Sequence, residues 1–293
     1  MVKYLKIFNK GVFMRADGRK LKNIDPMYKV AAYVMNKRYD AMNMVTIDIP
    51  LEHISEYLKE KRRQGVNISH IAVILAAYVR VAAEFPELNR FFVNRKAYAR
   101  KELSVSMVVL KAGSADNGTM SKMYFDKKNT IFEVNDIINK YVDENRNAPD
   151  NNGTEKLIKV LLSVPGVLPI GVSLFKFMDK HGLLPKKIID MSPFHASLLI
   201  SNLASIRTNH IFHHVYEFGT TSLGITMGNA REIAKRKGDR IIFERCMPLG
   251  VVMDERIASG SYFAMAFRKM RMYLRNPELL EVPAEIVNDD PGL

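Results

Sequence analysis

Residues 69–85 read SHIAVILAAYVRVAAEF, and no other stretch constrains the fold as strongly. Ile71, Val73, Ile74, Ala77, Val79, Val81 and Ala82 do not keep to one helical stripe but cover most of a helix circumference. A helix with so little polar face has to be enclosed, so the remaining chain must wrap it with a sheet or other helices. Asn67 and Ser69 stand where an N-cap is needed.

The flanking pattern supplies both kinds of partner. Asp25-Pro26 offers an N-cap with proline at the first helical position, for a helix to about residue 39. Residues 45–49 alternate as a strand, with Val45, Ile47 and Ile49 on one face, and 51–63 form an amphipathic helix. Further strands are expected at 2–8, 91–93, 97–101, 103–111, 120–125, 196–203, 222–227 and 240–252, with a polar turn at 114–118. Helices are expected from Thr130 to Tyr141 and from 259–261 to just before Pro277, and 143–153 reads as a charged, Asn-rich loop. The predicted class is α/β, a mixed sheet with packed helices, built as one domain over residues 1–293. An apolar helical insertion interrupts it at about 155–190.

Length and composition narrow the function. The 293 residues, 47% hydrophobic and 26% charged, can bury a sizeable core. Cys246 is the one cysteine, so no intramolecular disulfide forms, and the start MVKYLKIFNKG lacks the apolar run of a signal peptide. A cytoplasmic protein is expected, and Cys246 reads as a buried hydrophobe. The net charge of +13 suits phosphate-bearing ligands or an anionic membrane surface. Basic clusters at 59–63, 231–237 and 268–275 read as solvated helix faces, and with no aromatic-basic stacking motif joining them, nucleic acid is not the expected partner. No G-x-x-x-x-G-K-[ST], G-x-G-x-x-G or G-x-S-x-G motif is present.

Several segments occur in an order that matters. Phe85-Pro86-Glu87-Leu88-Asn89 ends the apolar helix and Tyr98-Ala99-Arg100-Lys101 follows. Leu199-Ile200-Ser201-Asn202-Leu203 and Met247-Pro248-Leu249 come next, and Met253-Asp254-Glu255-Arg256-Ile257-Ala258-Ser259-Gly260 leads into a helix ending at Pro277-Glu278. The set resembles the catalytic domain of the 2-oxoacid dehydrogenase acyltransferases, the dihydrolipoamide acyltransferase family within the chloramphenicol acetyltransferase-like superfamily. It is closer still to short, stand-alone bacterial relatives with a D-E-R-I motif and the segment His213-His214-Val215-Tyr216-Glu217-Phe218-Gly219-Thr220-Thr221-Ser222. The resemblance spans roughly residues 20–282. It implies a trimer with channels between subunits and a coenzyme A thioester as co-substrate for a small-molecule acyl acceptor. The family's lipoyl and subunit-binding segments are not found, so no lipoyl group is expected on this chain.

Within that frame the chemistry has changed letters. The family's D-H-R-x-x-D-G places a general-base histidine where this chain has Glu255 and an ion-pairing aspartate where it has Ser259, while Asp254, Arg256 and Gly260 keep the motif. The resemblance gives Ser201, beside Asn202, the role of oxyanion donor; strand serines also satisfy backbone groups. A carboxylate with a reference pKa near ~4.3 is a weak base toward a thiol near ~8.5 unless burial raises it. Glu255 therefore reads as base or as an ion-paired turn residue, and His213 and His214, neutral near working pH, are the alternative bases. His210, His213 and His214 spell H-x-x-H-H, a ligand spacing on a helix, but Asn209 and Phe212 favour an irregular loop, and no metal is expected. His195 reads as structural. A trimer that has lost catalysis and serves as a binding or scaffolding module is the rival reading.

Residues 160–175, VLLSVPGVLPIGVSLF, carry no charge, and Lys176, Lys180, Lys186 and Lys187 follow. A membrane span needs about 20 apolar residues. The prolines predict two short helices meeting at 165–169, buried against a neighbouring subunit or over the channel. Peripheral membrane contact through 160–187 is the alternative.

Overall fold

The computed structural model describes residues 15–111, 118–147, 163 and 167–293. The strand expected at 2–8, most of the turn at 114–118, the last part of the loop expected at 143–153 and the first part of the apolar insertion lie outside the described residues; residues 143–146 of that loop are helical, because the helix begun at Thr130 runs on to Arg146. Helix α3 (His70–Glu84) occupies the centre: every residue from Ile71 to Ala83 is buried, and the Ser69 hydroxyl caps its start by accepting from Ala72 N at 3.3 Å. It packs on α4 (Ile131–Arg146) and α7 (Gly260–Arg275), with α2 (Glu52–Arg63) beside α7. Fully burying each Ile, Val or Leu of such a helix contributes roughly 1.5–3 kcal/mol.

Beneath these helices lies a seven-stranded mixed sheet. Its order is β2 (Met42–Pro50), β10 (Arg240–Asp254), β8 (Leu223–Met227), β7 (Leu198–Asn202), β5 (Leu103–Leu110) and β6 (Gly118–Phe125), with β9 (Arg231–Lys237) paired to the first half of β10. The β5–β7 and β7–β8 pairs are parallel and the rest antiparallel. Ile47, Ile49, Leu198, Ile200, Ile225, Leu249 and Val251 face α3 and form the core. A smaller sheet, β1 (Gly18–Lys20), β4 (Lys96–Arg100) and β3 (Arg90–Val93) in the order β1-β4-β3, closes one end. The predicted mixed α/β class is the observed one.

Three local expectations are corrected. The cluster at 231–237 is an edge strand, not a helix face: Gly238 at φ +62° turns a hairpin, and half-buried Ile233 and Lys235 alternate with exposed Glu232, Ala234 and Arg236. Helix α1 (Pro26–Val34), capped by the Asp25 carboxylate at Met27 N, stops short of residue 39 because Arg38 turns into the interior. The second helix of the insertion, α5 (Val167–His181), already contains Pro169 in its first turn, where a missing N–H costs little, and runs on through Gly171. A short helix, α6 (Lys186–Met191), follows. No helix of the described residues is long and apolar enough to cross a membrane.

The face of the sheet away from α3 is covered by extended chain at 207–221. Ile211 N donates to Thr226 Oγ1 at 3.2 Å, and His210 Nε2 lies 3.0 Å from Thr46 Oγ1. Gly250 makes room: a Cβ there would fall 2.3 Å from Ile211 O and 2.7 Å from Thr226 Oγ1. Gly250→Ala should therefore cost about 1–3 kcal/mol in urea denaturation by lifting this strap. An unchanged midpoint would show that the strap is not seated on the sheet.

Candidate functional site

β10 ends at Asp254, whose side chain has no solvent exposure. Arg256 folds back over it in a bidentate pair, Nε to Oδ1 at 2.8 Å and Nη2 to Oδ2 at 2.7 Å, while Arg38 Nε lies 3.6 Å from Oδ2. Burial disfavours the Arg256 charge, but the Asp254 carboxylate outweighs it and holds the guanidinium above its ordinary value. Arg38 is the opposite case: burial dominates and lowers it despite Asp254. Its guanidinium donates to Tyr216 O, Gly219 O and Phe92 O, and its backbone N–H donates to Glu217 Oε2 at 2.6 Å. The cluster thus joins β10, the chain after α1, β3 and the 216–219 strap.

The residues after Asp254 leave this cluster in different directions. Glu255 N donates to Ala41 O at 2.9 Å, and its half-buried side chain turns to β2, where Asn43 Nδ2 donates to Oε2 at 2.5 Å. Ser259 is exposed and caps α7, its hydroxyl accepting from Tyr262 N at 3.2 Å, and Gly260 begins the helix. The buried carboxylate near this turn is Asp254, and position 259 serves the helix end.

Ser201 stands at the far end of β7, half-buried, in register with Thr226 on β8, which in turn pairs with Gly250 on β10. Among the described residues its hydroxyl has no hydrogen-bond partner. Its neighbours on this face differ: Ser106 Oγ donates to Pro193 O at 2.6 Å and Thr226 Oγ1 donates to Ile211 O. The Asn202 side chain accepts from Ser205 N at 3.3 Å, capping the turn that follows. Two strand spacings and five residues separate Ser201 from Glu255, on the order of ~20 Å at ~4.8 Å per strand and ~3.3 Å per residue. One chain does not bring them together.

His213 and His214 lie on the strap with their rings stacked at 4.9 Å and Tyr216 set edge-on to both. His213 Nδ1 is 2.9 Å from His214 O. The chain from 208 to 215 is not helical, so the H-x-x-H-H spacing does not converge. Among the described residues no group of three or more His, Cys, Asp or Glu side chains could hold a metal ion. His210, the imidazole on the Ser201 row, rests over Gly250 and was passed over as a possible base; the Gly250 position that admits it was the available signal. Cys246 is buried on β10.

A second buried ion cluster was not foreseen. Arg15 donates to Asp17 Oδ1 at 2.8 Å and to Asp179 Oδ1 at 2.6 Å, and His195 Nε2 is 3.2 Å from Asp179 Oδ1. Arg100 donates to Thr220 Oγ1 at 2.9 Å, and burial pushes it down to about 10. Asp179 fastens α5 to the domain. Burial raises its pKa, but contact with His195 and the charge of Arg15 outweigh that and hold it at about 2.

No protein-family model matches the chain, and no curated protein sequence matches it. Solved structures do match over most of their length. A probable dihydrolipoamide acetyltransferase from Listeria monocytogenes is 13% identical with TM-score 0.57, over 88% of this chain and 95% of the other. The cubic core of the pyruvate dehydrogenase multienzyme complex is 11% identical with TM-score 0.58, over 87% and 88%. A chloramphenicol acetyltransferase is 12% identical with TM-score 0.54, over 88% and 99%. The likeness is one of fold: this chain has the mixed α/β architecture of the chloramphenicol acetyltransferase-like acyltransferases.

Two measurements check the ion clusters. Asp254→Ala leaves two buried guanidiniums without their carboxylate and should cost about 3–5 kcal/mol in chemical denaturation; a loss under 1 kcal/mol would show that the pair does not hold the turn. Asp179 is depressed from 3.8 to about 2, so its stabilisation is complete above 3.8 and disappears as pH falls through about 2. The Tm gap between wild type and Asp179→Asn should be constant at neutral pH and shrink through that window; a gap independent of pH would refute the anchoring role.

Proposed function

We propose that this chain is an acyltransferase that moves an acyl group from coenzyme A to a hydroxyl, amine or thiol of a small molecule, working as a homotrimer with its sites between subunits. The observation that carries this reading is the unpartnered Ser201 hydroxyl on a strand end of an acyltransferase fold. A nucleophile attacking a thioester carbonyl makes a tetrahedral oxyanion, and a free hydroxyl on a rigid strand is a donor for it at no cost to the fold. The new bond forms from nucleophile to carbonyl carbon, the carbon–sulfur bond breaks, and the coenzyme A thiol leaves with a proton. Glu255, held by Asn43, or His214 with His213 takes the proton from the nucleophile.

The separation of Ser201 from Glu255 within one chain supports a site completed by a second copy. Exposed apolar side chains support the same assembly: Ile241 and Phe243 on the β9–β10 hairpin are each 70% exposed, and Ile206, Ile211 and Phe212 lie open on the strap side. The lack of a carboxylate at Ser259 is the feature that most favours the non-catalytic rival. Against the rival, Asp254 and Arg256, which the motif keeps, still form a buried ion pair at the turn.

Purified protein titrated with coenzyme A and acetyl-coenzyme A, at low and raised salt, gives the first test. Saturable binding that persists in salt is expected. With an acceptor panel and thiol release as readout, Ser201→Ala should lose on the order of 100-fold in rate while still binding coenzyme A, and Glu255→Gln and His214→Ala identify the base. Absence of saturable binding, or heat abolished by salt, would sink the transferase reading and leave the scaffolding one.

A further inference from the structure

A cavity of about 450 Å³ opens between α5, the β3–β4 turn, the chain at 36–38 and the strap at 217–219. Its lining includes none of Ser201, His213, His214 or Glu255, so it is separate from the residues assigned to acyl transfer. Its volume lies in the range, about 300–1,000 Å³, of small-molecule sites. The charge of its wall is one-sided. Lys37, Arg38, Arg95, Lys176, Lys180 and Arg256 face it, against Asp179 and Glu217.

Those two carboxylates are already engaged. Asp179 is taken by Arg15, behind the wall, and Glu217 Oε2 by the Arg38 backbone N–H. Asp254, also behind the wall, is shared by Arg38 and Arg256. Lys37, Lys176 and Lys180 have no acidic partner among the described residues. Lys176 and Lys180, four apart on α5, share a helix face, and the Asp179 anchor holds that face over the opening. The Arg38 guanidinium is spent on the structure behind the wall: Nε lies 3.6 Å from Asp254 Oδ2, and the other nitrogens donate to Tyr216 O, Gly219 O and Phe92 O.

The β3–β4 turn adds an independent observation. Asn94 and Arg95 both have positive φ, 50° and 59°, the geometry of a two-residue hairpin turn that favours Asn-Gly. Here an arginine occupies the glycine position and tolerates the strain. Its guanidinium lies over the Tyr33 ring at 4.9 Å, on the cavity rim. Strained non-glycine residues cluster at ligand clamps, and Arg95 stands on a concave, cationic wall.

We propose that this cavity binds a phosphate-bearing ligand, a diphosphate or phosphate monoester, through Arg95, Lys176 and Lys180 at its mouth. Lysine and arginine around a low-dielectric concavity focus the field on a multivalent anion and donate charge-assisted hydrogen bonds to its oxygens. The phosphate has two sources to be told apart. One is a soluble metabolite. The other is a lipid headgroup, since Ile170, Leu174 and Phe177 of α5 are 70%, 56% and 55% exposed beside the lysines.

The test uses the full chain at fixed ionic strength. One arm is calorimetric titration with inorganic pyrophosphate, and the other is sedimentation with phosphatidylglycerol vesicles against phosphatidylcholine vesicles. The expected result is saturable 1:1 pyrophosphate binding, weakened at least 10-fold by Lys176→Ala with Lys180→Ala and unchanged by Lys20→Ala with Lys22→Ala, which removes equal charge elsewhere. Vesicle retention that needs the same lysine pair, without pyrophosphate binding, assigns the phosphate to a lipid. Arg95→Gly should weaken binding while raising Tm, because it removes the ligand contact and the strain together; a merely structural Arg95 would give the Tm change alone. No saturable pyrophosphate binding and no selective vesicle retention, or binding indifferent to the lysine pair, overturns the proposal.

Discussion

A single buried carboxylate, Asp254, organises the end of the molecule where the motif residues lie. It has no contact with solvent, so its charge must be met inside, and Arg256 and Arg38 meet it from two directions. Because Arg38 also donates to carbonyls of β3 and of the 216–219 strap, four separate pieces of chain depend on one charge balance. That dependence explains why α1 ends early and why the backbone turns at Glu255 as it does. It also frees position 259 from ion pairing, leaving Ser259 to cap α7 with a hydroxyl.

The two faces of the large sheet divide the work. One face is fixed by α3, whose enclosure on all sides makes the core continuous. The other carries small and polar residues, Ser106, Ser201, Thr226 and Gly250, and is roofed by extended chain rather than by a helix. Such a roof comes close only where glycine leaves room, and Gly250 provides it. Ser201 lies on this face with its hydroxyl unpartnered among the described residues, and Glu255 of the same chain is too far along β10 to meet it.

The insertion has become a structural part of the domain. Through Asp179 it is tied to Arg15, and its lysines are turned over a cavity that the remaining chain builds from the β3–β4 turn and the strap. Its uncharged run suggested a surface that must be hidden. Within one chain the helix leaves Ile170, Leu174 and Phe177 exposed, while Asp179 ties it to the domain.

The central helix was legible in the sequence, because an apolar circumference can be satisfied in only one way, by enclosure. The strands of the large sheet other than β9 were legible for the same local reason, as were the capping residues Asp25, Ser69 and Thr130. The ordered motifs pointed to the acyltransferase fold and to Ser201 and Glu255 as residues of interest. Charge misled where period was ignored: 231–237 looked like a helix face until its pairing with β10 showed the twofold alternation. Tertiary structure alone decided which charges meet. Arg15 with Asp179, Arg38 with Asp254 and the lysines of α5 with Arg95 lie far apart along the chain, and no local periodicity encodes them. Ion pairs depend on distance through space and on burial, and both are set only when the sheet and its helices have closed.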